Sequence, residues 1–224
     1  MTVVHALTPV YYFGSIFPLL AVIVCWIVFY GKKHHTPGLI LTISETVCPF
    51  PESRIFAIAM NIEVWAIVVM YVVRNTLFEV YAGNSNKEYG CRHGLIKWTM
   101  RICTVFVPLG LAVLSGVTLD ESKPVHLVGA FAFFIGGILY NIVSDLGFRW
   151  AKAPFSIVSW LFTWICLGCA ALYAILLGGF PDNKRLQNAG AVFQYLTCLC
   201  MFIKFFLYQF DIPRHHLNVA MHLY

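Results

Sequence analysis

An apolar run at 55–73 carries Asn61 and Glu63 almost at its midpoint. The run matches the about 20 apolar residues that a helix needs to cross a bilayer. An ionised carboxylate at the bilayer centre is expensive, so such a residue is neutral, paired or turned toward protein. Ala59 and Ala66 lie one turn away on the same face, and small residues there let a second helix approach closely. The pattern points Glu63 into a bundle, so the remainder of the chain has to supply further membrane helices.

It contains five more apolar runs, at 8–30, 98–119, 125–146, 154–177 and 188–210. The predicted fold is all-α: a polytopic six-transmembrane-helix bundle with short loops, one domain over 1–224, and a polar tail at 211–224. Composition agrees, because 11% charged residues is less than half of the about 25% usual in soluble domains. The first run lacks a basic leader and is too long for a signal-peptide core, which predicts a retained helix. Pro18 should kink that helix. Segment 74–97 is turn-rich and reads as a loop. Arg101 and Lys204, near the ends of their runs, should reach back to the interface. Six spans place both termini on one side. Charge does not orient them: Arg74, Lys87, Arg92, Lys97, Arg149, Lys152 and Arg214 stand on that side, against Lys32, Lys33, Arg54, Lys123, Lys184 and Arg185.

The net charge of +5 is dispersed over short loops, which argues against nucleic acid as a partner. Membrane lipids and other membrane proteins are the expected partners. Of the 8 cysteines, Cys25, Cys103, Cys166, Cys169, Cys198 and Cys200 fall in apolar runs and read as small hydrophobes. Cys48 and Cys91 belong to loops on opposite faces and should not pair. Cys166 and Cys169 have metal-like spacing but no second ligand pair, and no histidine lies within a span. No metal or other cofactor is expected.

On the fourth run, Gly129, Ala132, Gly136, Tyr140 and Ser144 recur at steps of three or four, with Asn141 and Asp145 alongside. This is a packing seam continued by hydroxyls. The candidate functional or structural polar residues are Ser44, Glu45, Glu52, Asn61, Glu63, His126, Tyr140, Ser144, Asp145 and Gln194. His126, at a helix mouth, reads first as an ordinary interfacial or cap-like histidine; the sharper alternative is that it bonds Glu45 or Glu52 and senses acidic pH.

Several motifs resemble the DRAM (damage-regulated autophagy modulator) branch of the FRAG/DRAM/SFK superfamily of six-span membrane proteins. They are Ile43-Ser44-Glu45-Thr46, Pro51-Glu52-Ser53 with Phe56 and Met60-Asn61, and Val125-His126 with Gly129-Ala130, Phe133-Phe134, Gly137 and Tyr140. Gln194-Tyr195 and Phe210-Asp211 extend the likeness to the last helix. The chain departs from that pattern where Glu45 replaces Asp, Val47 replaces Gly and Gln194 replaces a common Glu. The resemblance implies cytosolic termini, a lumenal or extracellular first loop, and a role in autophagy or membrane-lipid organisation at lysosomal, other endomembrane or plasma membranes.

Three functions follow as expectations. The first is a non-catalytic membrane modulator, favoured because no nucleophile–base–orienter set is visible. The second is a lipid-modifying factor of the GPI-anchor-remodelling type, weakened by the absence of histidine from the spans. The third is a transporter or ion pathway using Glu63, for which no inverted-repeat partner is apparent.

Overall fold

In a computed structural model the described residues are mostly helical, and none of them forms a strand. The structure describes residues 3–34, 38–85, 90–180 and 182–211, with side chains from residue 8 onward. Most of the tail at 211–224 therefore lies outside the described residues. The elements are α1 (Val3–Gly31), a single turn α2 (Ile43–Thr46), α3 (Glu52–Asn84), α4 (Cys91–Gly116), α5 (Lys123–Trp150), α6 (Ile157–Gly179) and α7 (Lys184–Leu207). A 3₁₀ turn, Tyr208–Asp211, ends the described chain. All but α2 are long and apolar enough to span a bilayer. The chain is an integral, multi-pass membrane protein.

Three spans run further than their apolar runs. α3 continues past Arg74 to Asn84, so much of the expected loop at 74–97 is helix. The extension has a core of its own: Leu77, Phe78 and Ala82 are buried there. α4 begins at Cys91 and its first turns bury His93 and Ile96. α5 reaches Trp150, burying Gly147 and Phe148. At 1.5 Å per residue α3 is roughly 50 Å long, so it projects well beyond a hydrocarbon layer of about 30 Å.

Packing follows the small residues. α4 lies mainly against α5 and α3, α1 against α3 and α7, and α6 almost wholly against α7. The α4–α5 contact is backbone-close. A Cβ on Gly110 would stand 2.6 Å from the Phe133 nitrogen, and one on Gly129 would stand 2.7 Å from the Leu114 nitrogen. Gly136 completes this seam against Val107, whereas Gly137 faces Met201 of α7. Only 11% of the apolar stretch of α6 is buried within the protein, against 61% for α7. α7 is thus central and α6 peripheral.

Candidate functional site

The polar side chains gather at two levels of the bundle, with Glu63 between them. At the end that holds the termini, Arg74 is buried to 2% exposure. Its guanidinium donates to Asp211 Oδ2 at 2.8 Å, Asp145 Oδ1 at 2.9 Å and Ser144 Oγ at 3.1 Å. The rings of Phe148 and Tyr208 sandwich it, with its carbon 4.3 and 4.0 Å from their centroids. Lys204, fully buried, donates to Asp145 Oδ2 at 2.6 Å and to the Ser159 carbonyl and hydroxyl at 2.9 and 2.7 Å. Thr163 adds a bond to Asp145 at 2.7 Å, and the Ser156 amide donates to Asp211 at 3.1 Å.

Two cations thus meet two carboxylates, and donors from three helices, α3, α6 and α7, occupy the carboxylate oxygens. Balanced and hydrogen-bonded in this way, charges can be held in a dry interior. Asp211 also sits at the first turn of α6, where exposed amides favour an anion. Tyr140 belongs to the same level: it stacks on Tyr71 with centroids 3.7 Å apart and donates to Asn75 at 3.1 Å. Tyr208 donates to Asn141.

At the opposite end the loop between α1 and α3 folds over the bundle. Thr42 and Glu45 form a capping box around α2: the Thr42 amide donates to Glu45 Oε2 at 2.7 Å and the Glu45 amide to Thr42 Oγ1 at 3.3 Å. The loop is pinned to α7, because the Ile43 amide donates to Gln194 Oε1 at 2.8 Å and the Ile40 amide to Asn188 Oδ1 at 2.9 Å. It is pinned to α5 through Ser44, 2.9 Å from His126 Nε2. His126 Nδ1 lies 2.8 Å from the Val117 carbonyl. A carbonyl only accepts, so Nδ1 carries hydrogen, and Nε2 of the neutral ring accepts from the Ser44 hydroxyl. Beneath α2 is a cavity of about 30 Å³ with Ser44 and Gln194 as its polar wall, large enough to hold water. Cys48, in the same loop, donates to the Ser44 carbonyl at 3.1 Å. Burial pushes its thiol up, which keeps it protonated and unreactive.

Glu63 is fully buried, and neither carboxyl oxygen has a hydrogen-bond partner among the described residues. What faces it is the backbone of α1. A Cβ on Gly14 would lie 3.2 Å from Glu63 Oε1 and 2.6 Å from Met70 Cε. The Gly14 carbonyl would normally accept from residue 18, but Pro18 has no N–H. An orphan acceptor of α1 and an unpartnered carboxyl of α3 therefore share one stretch of the membrane interior.

The ten candidate residues divide among these places. Ser144 and Asp145 enter the ion network, and Tyr140 lies at its level, bonded to Asn75 and stacked on Tyr71. Ser44, Glu45, Glu52, His126 and Gln194 lie at the loop end, but as separate contacts. His126 meets Ser44 and the Val117 carbonyl, not Glu45 or Glu52, because Glu45 closes its own capping box and Glu52 lies 3.1 Å from His34. Asn61 belongs to neither level: it is exposed on the lipid side, and its amide donates to the Ala57 carbonyl at 2.8 Å. Lys204 does not reach back to the interface, since three acceptors hold it inside. Arg74, Lys204, Ser159, Thr163 and Asp211 are additions of the structure. Of these only Asp211 carried a signal, in the Phe210-Asp211 pair. Among the described residues no three His, Cys, Asp or Glu side chains converge in a way that could hold a metal.

Comparison with known proteins places these residues in context. A family model described as the Frag1/DRAM/Sfk1/Cwh43P N-terminal domain matches residues 6–215. The human protein named Modulator of macroautophagy TMEM150B is 25% identical over 171 residues, 72% of this chain and 66% of that protein. The match therefore spans just under two thirds of the relative's length. No solved structure matches the chain.

Proposed function

The chain belongs to the Frag1/DRAM/Sfk1 family, and from that premise we propose that it is a non-catalytic membrane modulator of autophagy acting through the organisation of membrane lipids. One observation carries the reading. The four charged side chains buried at the terminus end, Arg74, Lys204, Asp145 and Asp211, are engaged with one another, and the small space beside Ser44 and Gln194 has room for water rather than a substrate. The human relative, which is named for macroautophagy, supports the cellular process. The same reading puts both termini in the cytosol and the loop around α2 in a lumen or outside the cell, at lysosomal, other endomembrane or plasma membranes.

The test is a complete knockout followed by re-expression. Loss of the protein should alter autophagic flux or lipid distribution, and wild-type protein should restore it. Unchanged flux together with unchanged lipid distribution would remove the proposal. A tagged copy imaged beside lysosomal, Golgi and surface markers fixes the compartment. Glu63, unpartnered in the membrane interior, favours a second reading as a proton or ion pathway. Glu63→Gln separates the two: a measured flux abolished in a normally expressed variant supports transport.

A further inference from the structure

We infer that the groove between α3 and α4 at the terminus end binds the headgroup of an anionic phospholipid. On α4, Lys97, Arg101 and Thr104 recur at steps of four and three, so they share the face turned toward α3. Thr76 and Glu79 answer them from α3, and the groove between the helices measures 270 Å³. Lys97 lies 2.9 Å from Glu79 and Arg101 lies 3.4 Å from it, with side chains 28% and 48% exposed. Two permanent cations thus share one carboxylate, which leaves positive charge facing outward. A guanidinium has five N–H donors, and Arg101 places one nitrogen on Glu79.

The surroundings select a lipid over a soluble anion. Trp98, 61% exposed, lies under the Arg101 guanidinium at 5.6 Å, and tryptophan so placed marks the headgroup level. Below it, Ile102 and Val105 of α4 and Val69 and Val72 of α3 are exposed and line the way into the hydrocarbon. A cationic mouth above an apolar wall, between two spanning helices, fits an anionic head with an acyl chain attached. Glu79 competes with that head for both cations. The site extends the lipid side of the function proposed above. It is tested on purified protein, so its failure leaves the cellular reading standing.

The experiment is native mass spectrometry of the full chain in detergent, titrated with phosphatidylserine or phosphatidylcholine of matched chains. Wild type should retain phosphatidylserine preferentially. The double variant K97Q/R101Q should lose about tenfold or more of that preference, the scale of two basic groups near an anionic surface. R54Q, an exposed arginine at the opposite end, should not. E79Q should raise phosphatidylserine retention, a change of sign that a merely structural ion pair would not produce, and it remains informative if the double variant fails to fold. Equal retention of the two lipids by wild type, or lowered retention in E79Q, would overturn the site. Competition by inorganic phosphate would show an anion site and overturn the lipid as its occupant.

Discussion

Arg74 and Glu63 lie on the same helix and solve the same problem in opposite ways. Arg74 is charged and answered on every side, so removing it leaves Asp211 without its cation and Asp145 with Lys204 alone. Arg74→Gln should lower stability by about 3–5 kcal/mol, the range found when one partner of a buried pair is lost. Thermal unfolding of the purified protein in detergent reads this directly. Glu63 has no partner whose loss could matter. Glu63→Gln should therefore unfold within about 1 kcal/mol of wild type, the scale of one ordinary hydrogen bond, in the same assay. A large loss would reveal a partner for the carboxyl.

Outside the spans, Glu121 accepts from the Thr118 amide at 2.8 Å, and these bonds to Thr118 hold its carboxyl below the usual range. A carboxyl so depressed stabilises the 118–122 turn at neutral pH, and that support is lost as pH falls through its lowered value. Thr118→Ala, which removes the hydroxyl and keeps the amide, should move the Glu121 titration part of the way upward in an NMR pH series. An unmoved titration would remove the hydroxyl as a cause and leave the amide alone.

Among the helices, the α4–α5 seam admits the least change. A methyl at Gly110 or Gly129 meets backbone atoms, which cannot rotate away. Gly110→Ala should cost about 1–3 kcal/mol, while Gly168→Ala, on a face where nothing lies within 4 Å, should be tolerated in the same denaturation assay. The six helices were legible because 20 apolar residues in a row admit few other folds. Their ends were not. Arg74 looked like the edge of the membrane because a lone sequence shows a charge without its counter-charges, and those are supplied by α5 and the turn after α7. Lys204 misleads for the same reason. Ser44, Gln194 and His126 were legible as polar residues near helix mouths, but their pairing depends on how the loop at 38–51 crosses the bundle, which no local pattern encodes. Asn61 shows the converse: beside Glu63 in sequence, it turns about 200° away over two positions and satisfies its amide on its own helix.

At the scale of the molecule, the terminus end is held by charge and the loop end by hydrogen bonds from a short capped segment. The two ends should therefore yield differently. Ser44→Ala releases His126 Nε2 and one tether of the loop, so amide exchange at 38–51 should accelerate while that of α3 and α7 stays slow. Uniform acceleration would mean that the loop is not a separate unit.

The ion network also sets an order of events during synthesis. Arg74 leaves the ribosome 71 positions before Asp145 and 137 before Asp211, so the second span first carries a cation with neither partner made, and then one with a single partner. Full neutralisation therefore waits for the turn after α7. A nascent chain halted before Asp211 would bear the mark of its own incompleteness, an uncovered guanidinium at a depth where cellular surveillance can discard it.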